Sequence, residues 1–243
     1  DGNLWYIIGG VLYKLNITKK DYLIKPSEAF DQFYFTLLKS NDRGDVWVSS
    51  SANLYKYEPD NNSLKRVNIK FQNPVTITAL SSKGIDTILI GTKNQGAYFY
   101  YTKAEKLKAM LPQNLNLLHV RCFLNFEKKI WIGSESGMYI IDELTGDYKH
   151  LKKNYNNNYS LSDNAIYCMV ADDEKGVWVG TYFGGINYFP KQYTPIQKFF
   201  PKTEENAISG NAVREIKKDY LGNLWIGTED AGLNKYNLNT GIF

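Results

Sequence analysis

The chain is sparing with the side chains that do chemistry. Of its 243 residues only two are histidine, His119 and His150, and two are cysteine, Cys122 and Cys168. His119 opens an apolar run, and His150 lies in "DYKHLKKN" behind a Thr-Gly turn. Two cysteines cannot build a zinc framework, and no nearby histidine supplies the missing ligands. They read as two buried thiols in preference to a disulfide, one position out of register with each other in neighbouring repeats. Gly-x-Ser-x-Gly elbows, Walker loops and dinucleotide fingerprints are missing from the sequence. Carboxylates are common, but they fall in turns where water solvates them. The residue types therefore predict no catalytic group, no metal site and no cofactor. Aromatic residues make up 15%, led by 19 tyrosines, so binding through aromatic faces is better supplied than catalysis.

What would position such residues is a repeat. Trp5, Trp47, Trp131, Trp178 and Trp225 occupy one recurring slot, and Leu89 in "TILIGTKNQG" fills the copy that lacks tryptophan, giving spacings of 42, 42, 42, 47 and 47. Two residues past the anchor stands Gly91, Gly133, Gly180 or Gly227, followed by Thr92, Ser134, Thr181 or Thr228. A second apolar run follows: "LYKL", "LYKY", "AYFY", "MYII", "INYF", "LNKY". Short β-type runs parted by Gly, Asn and Asp turns, four to a period of this length, are the spacing of propeller blades. The best helical window, "TKAEKLKAMLP", amounts to a surface turn. The predicted fold is all-β: a β-propeller of four-stranded blades, about six repeats visible, part of a larger seven-bladed or tandem propeller. We letter the strands of a blade A (before the anchor), B (carrying it), C and D.

A blade cannot bury its faces alone, so it stacks on its neighbours. The anchor is expected to fill the wedge between blades. The glycine permits close packing or an unusual backbone angle, and the Thr or Ser hydroxyl satisfies a turn amide. The loops entering strand A and those joining B to C share one face, the usual place for recognition. There Tyr182 and Phe183 either stack on sugar rings or pack on the next blade. Glu229 and Asp230 either bind hydroxyls or cations or are solvated turn carboxylates. Tyr167 and Arg214 hold equivalent positions near the start of strand A. Arg214 faces an acidic sugar, or else pairs with Glu215 or Glu229.

The net charge of +4 is mild and its lysines are dispersed, which excludes a nucleic-acid stripe. No signal peptide or membrane-spanning apolar run is evident. The chain opens at "DGNLW" and closes at "GIF", both inside a repeat, so residues 1–243 read as one propeller segment cut at both ends from a longer protein.

Ser40 to Trp47, "SNDRGDVW", fits the Asp-box turn of sialidase-like propellers, a turn-stabilising element that imports no active site. The fuller pattern in "LSDNAIYCMVADDEKGVWVGTYFGGINYF" and "ISGNAVREIKKDYLGNLWIGTEDAGLNKYNLNTGIF" resembles the two-component regulator propeller repeat. That resemblance implies the periplasmic sensor portion of a Bacteroides-type hybrid two-component system. It further implies an inner-membrane helix and a histidine kinase outside this segment, an oligosaccharide ligand, control of polysaccharide-utilisation genes, and a homodimer. Two other readings stay open: a structural or protein-interaction propeller, and a polysaccharide lyase or hydrolase propeller.

Overall fold

A computed structural model describes residues 3–16, 22–23, 35, 37–40, 43–112, 119–157, 159–191, 199–202 and 206–243. Its strands form six antiparallel meanders in which sequence order is spatial order. The first contains β1 (Asn3–Ile8), β2 (Val11–Asn16) and β3 (Tyr22–Leu23); the second contains β4 (Leu37–Ser40), β5 (Val46–Ser50), β6 (Asn53–Glu58) and β7 (Ser63–Val67). The third contains β8 (Ile77–Lys83), β9 (Thr87–Thr92), β10 (Ala97–Tyr101) and β11 (Lys106–Ala109); the fourth contains β12 (Val120–Phe126), β13 (Lys129–Ser134), β14 (Gly137–Asp142) and β15 (Tyr148–Leu151). The fifth contains β16 (Ile166–Ala171), β17 (Val177–Thr181) and β18 (Ile186–Phe189); the sixth contains β19 (Val213–Lys218), β20 (Asn223–Thr228) and β21 (Gly232–Asn237). All six anchors lie in B strands, and the meander is that of β-propeller blades. Among the described residues no helix is long and apolar enough to cross a membrane.

The chain divides into two compact units: Asp1–Lys153 with Leu161–Lys191, which holds the first five sheets, and Asn154–Ser160 with Gln192–Phe243, which holds the sixth. In the first unit the core is a series of layers between consecutive sheets. Leu12 joins Val46, Val48 and Tyr57; Trp47 and Leu54 join Ile77, Ile88 and Ile90; Leu89 joins Val120, Ile130 and Ile132; Trp131 and Met138 join Ile166, Val177 and Val179. Because β5 and β13 are covered on both faces, their apolar runs are continuous and nearly every residue is buried. In the second unit a smaller core gathers Ile208, Ile226 and Tyr236, with Phe199, Tyr236 and Phe243 packed ring to ring at 4.7–5.3 Å.

The wedge role predicted for the anchors is seen for Trp5, Trp47, Leu89 and Trp131, each packed in a layer shared with the following sheet. Trp178 and Trp225, 44% and 37% exposed, are held within their own sheets. The indole N–H of Trp178 donates to Asp172 at 2.9 Å and that of Trp225 to Asp219 at 3.0 Å. Directly across from the anchor on strand C, a lysine recurs in three blades: Lys14 opposite Trp5, Lys56 opposite Trp47 and Lys235 opposite Trp225. Each ammonium sits 5.5–5.6 Å over the indole, a cation–π contact that also covers the ring with the lysine stem.

Two of the slot glycines serve close approach. A Cβ on Gly91 would stand 2.5 Å from Val120 Cγ1, and one on Gly133 would stand 2.5 Å from Cys122 Sγ and 2.8 Å from Ile166 Cγ2, so the next sheet's first strand rests where the side chain is missing. At Gly227 the nearest atom is Glu215 O, 3.9 Å away. The hydroxyls that follow donate to a turn carbonyl, a bond beyond the turn amide they were expected to accept: Thr92 to Gly96, Ser134 to Gly137, Thr181 to Gly185 and Thr228 to Gly232, at 2.8–2.9 Å. Ser134 Oγ also accepts the Ser136 amide. The "TKAEKLKAMLP" window is a turn followed by β11, not a turn alone.

Gly133→Ala should destabilise by about 1–3 kcal/mol through overpacking. Gly227→Ala, with open space beside it, should be neutral or stabilise by up to ~1 kcal/mol. Urea-unfolding midpoints of the two variants check the contrast.

Candidate functional site

Strand A begins with a β-bulge in four of the blades. The register slips between Ile77 and Ala79, Val120 and Cys122, Ile166 and Cys168, and Val213 and Glu215. The extra residues are Thr78, Arg121, Tyr167 and Arg214. A bulge re-aims its side chain: Arg121, Tyr167 and Arg214 meet the loop between B and C, while the Thr78 hydroxyl donates to Val120 O of the next sheet at 2.6 Å. Four residues past the anchors stand Lys93, Glu135, Tyr182 and Glu229. Their amides donate to Thr76, His119, Ala165 and Ala212, which ties each B–C loop to the entry of its strand A. The shared face predicted for these two sets of loops is therefore built by repeated backbone bonds.

Each blade fills this paired position differently. In the fourth sheet Arg121 is salt-bridged to Glu135, with Nε 2.6 Å from Oε1. In the fifth, Tyr167 stacks on Tyr182 at 5.1 Å and 23°, and Tyr182 meets Phe183 edge-on at 4.3 Å. These two pairs join: the Arg121 guanidinium lies 4.8 Å over the Tyr167 ring, and the Tyr167 hydroxyl is 3.4 Å from Glu135 Oε1. The result is a continuous rim patch of Arg121, Glu135, Tyr167, Tyr182 and Phe183 within one unit. Tyr182 and Phe183 are 58% and 87% exposed.

The loop that carries them is held firmly. Phe183 N donates to Asp163 Oδ2 at 3.1 Å, and this bond, before the other amides, holds the Asp163 carboxyl below the usual range. Thr181 N and Oγ1 both donate to Gly185 O. Behind the loop, Ser162 N bonds Asn187 Oδ1 at 2.9 Å and Asn187 Nδ2 bonds Ser162 Oγ at 2.8 Å.

In the sixth sheet Arg214 pairs with Glu229, Nε to Oε2 at 2.9 Å, while Glu215 takes Lys217 at 3.2 Å. Of the two partners open to Arg214 in sequence, Glu229 is therefore the one used. Asp230 is a tether: its oxygens accept the amides of Asn211 at 2.9 Å and Ala212 at 3.3 Å, and those bonds lower its pKa. The Ser–Asn brace recurs as Ser209 and Asn234. Arg121 and Glu135 escaped the sequence reading, although the spacing of Arg214 and Glu229, shortened by one residue, points to them. The braces left a plainer signal, a Ser-to-Asn separation of 25 in both copies.

Cys122 and Cys168 hold the same place, each opposite the slot glycine of its blade. The one-residue offset in sequence is absorbed by the A–B turn, which in the fourth sheet is only Glu127-Lys128, both with positive φ as a type I′ hairpin requires. Both thiols are free; Cys168 is exposed, not buried as expected. Burial pushes the Cys122 thiol up to about 12. His150 stacks on Tyr139 at 3.9 Å and contacts Ser136 O at 2.9 Å, a packing role. Burial, then the Arg121 charge, lowers the His119 pKa. No cluster of three or more His, Cys, Asp or Glu able to hold a metal occurs among the described residues. Of the Asp-box stretch, residues 41 and 42 lie outside the described residues. Gly44 takes the positive φ its turn needs.

Residues 160–183 and 207–230 match the family profile of the two component regulator propeller. The chain is 26% identical over 257 residues to histidine kinase P4 of Formosa agariphila, covering 79% of this chain and 19% of that protein. Its fold is shared by the extracellular domain of one hybrid two component system of B. thetaiotaomicron (TM-score 0.67, 17% identity, 99% of this chain and 39% of that one). A second such domain from the same organism gives TM-score 0.66 at 20% identity over 98% of this chain and 31% of that one. The chain thus spans about a fifth of the curated relative it matches.

Two outcomes follow from the site chemistry. Maleimide should label Cys168 in the native protein and spare Cys122 until denaturant is added, as read by intact-mass spectrometry. The Asn223 side-chain amide, then the backbone amides and the Trp225 indole, hold Asp219 at about 2. A carboxylate depressed in this way stabilises fully above its unfolded value of about 3.9 and loses that contribution as pH falls toward 2. The thermal-midpoint gap between wild type and Asp219→Ala should therefore shrink across that window.

Proposed function

We propose that this chain is a ligand-sensing propeller of a hybrid two-component system. It lies in the periplasmic portion of an inner-membrane histidine kinase and binds an oligosaccharide. Binding is relayed as a change in domain or homodimer geometry that controls polysaccharide-utilisation genes. The observation that carries this reading is the exposed Tyr167–Tyr182–Phe183 platform. A soluble surface loses free energy by leaving such rings wet, about 25 cal/mol for each Å² of apolar area. A loop that holds them out on fixed hydrogen bonds has its binding entropy settled in advance. The flat C–H face of a sugar ring matches them. The propeller repeats and the kinase relative supply the signalling context.

A protein-interaction role for the second unit draws support from Val213, Ile216 and Leu233, 45–65% exposed on β19 and β21. A lyase needs a cation free to neutralise a uronate carboxylate. Arg121 and Arg214 are each capped by a glutamate, which counts against that reading.

Calorimetric titration of the segment against defined oligosaccharides should give saturable heat. Tyr182→Ala should weaken binding roughly tenfold, ~1.4 kcal/mol. Heat from a longer extracytoplasmic region but none from this segment would place the site elsewhere and leave this part a scaffold.

A further inference from the structure

Resting on that reading, we infer that the rim patch selects uncharged glycans and turns away uronic and sulfated ones. Its one guanidinium is already committed. Arg121 directs Nε and Nη2 to Glu135 Oε1 and lays its face over Tyr167. Binding a carboxylate or sulfate here means either displacing Glu135 or sitting beside it, and both are unfavourable: the first strands a carboxylate, the second sets like charges together.

The rest of the patch points the same way. Glu135 concentrates its bonds on Oε1, taking Arg121 and the Tyr167 hydroxyl. That leaves Oε2 as an acceptor at the edge of the platform, suited to a sugar hydroxyl and repellent to an anion. At the base of the Phe183 loop stands a second fixed carboxylate, Asp163, kept ionised by the amides of Phe183 and Asn164, with Lys153 acting on it electrostatically. The aromatic platform is thus bordered by Glu135 on the Tyr167 side and Asp163 beneath Phe183. The lysine of the equivalent position one blade earlier, Lys93, acts on His119. The chain's overall charge of +4 would favour acidic polymers; the local pairing at this site opposes them.

The test is titration of the wild-type segment with size-matched neutral, uronic and sulfated galacto- and gluco-oligosaccharides at low and moderate salt. The expected result is saturable binding confined to the neutral set and lost in Tyr182→Ala. Glu135→Gln, which frees the Arg121 charge, should raise affinity for the sulfated or uronic set at least tenfold, with the gain suppressed by salt. Circular dichroism confirms that the variants fold. Anionic glycans binding wild type as well as neutral ones, or no gain in Glu135→Gln, would overturn the selectivity while leaving oligosaccharide sensing intact. Binding of neither class would overturn both.

Discussion

Everything in this structure depends on one constraint: a meander of three or four short strands cannot bury its faces unless another sheet lies against them. Where sheets stack on both sides, the B strand is apolar on both faces and buried throughout, as in β13. The closest point of that stacking is the slot glycine. With no Cβ at Gly91 and Gly133, the first strand of the next blade sets Val120 and Ile166 into the gap. A side chain there would hold the blades apart and thin the layer that Leu89 or Trp131 fills. The anchor and the glycine are thus one device: bulk where the wedge is wide, nothing where it is narrow.

The same device shapes the rim. Opposite the slot glycine, strand A carries Ala79, Cys122, Cys168 or Glu215, and just before each of these the ladder slips by one residue. In three blades the slip turns one side chain out of the core-facing alternation and toward the B–C loop, so Arg121, Tyr167 and Arg214 can differ while their backbones agree; Thr78 instead bonds the next blade at Val120 O. The paired loop position is equally unconstrained, carrying Lys93, Glu135, Tyr182 and Glu229. Core-building geometry leaves each of these blades a two-residue site whose side chains can vary while its backbone is repeated.

Periodicity made the fold legible in the sequence. The anchors announce the blades because a wedge of fixed size calls for the same kind of residue each time, and Leu89 could be placed by spacing alone. The B–C loop face, Tyr182, Phe183 and the equivalence of Tyr167 with Arg214 followed from that alignment. What stayed hidden depended on register. The A–B hairpin of the fourth sheet is short, turning on Glu127 and Lys128, so Arg121 and Cys122 slide one place along the sequence without moving in the sheet. That slide concealed the match between Arg121–Glu135 and Arg214–Glu229 and made the two cysteines look unaligned. The bond from the Trp178 indole to Asp172 was also hidden, because an indole can pack with or without a hydrogen-bond partner for its N–H.

Rigidity at the rim also limits how a bound ligand can act. The B–C loop of the fifth sheet is fixed to the entry of strand A by the Tyr182 amide, to Asp163 by the Phe183 amide, and to itself through Thr181 and Gly185. A sugar settling on Tyr182 and Phe183 would meet a surface with little room to reshape. On the sensing reading, the ligand must then favour one arrangement of whole bodies over another, because equal affinity for two states shifts neither. The patch spans the fourth and fifth blades, with Arg121 and Glu135 on one and Tyr167, Tyr182 and Phe183 on the other, and those blades are locked by the layer around Trp131 and Ile166. Binding there loads a stiff pair of sheets, so the responsive element must lie beyond them, at a boundary softer than the one between stacked blades.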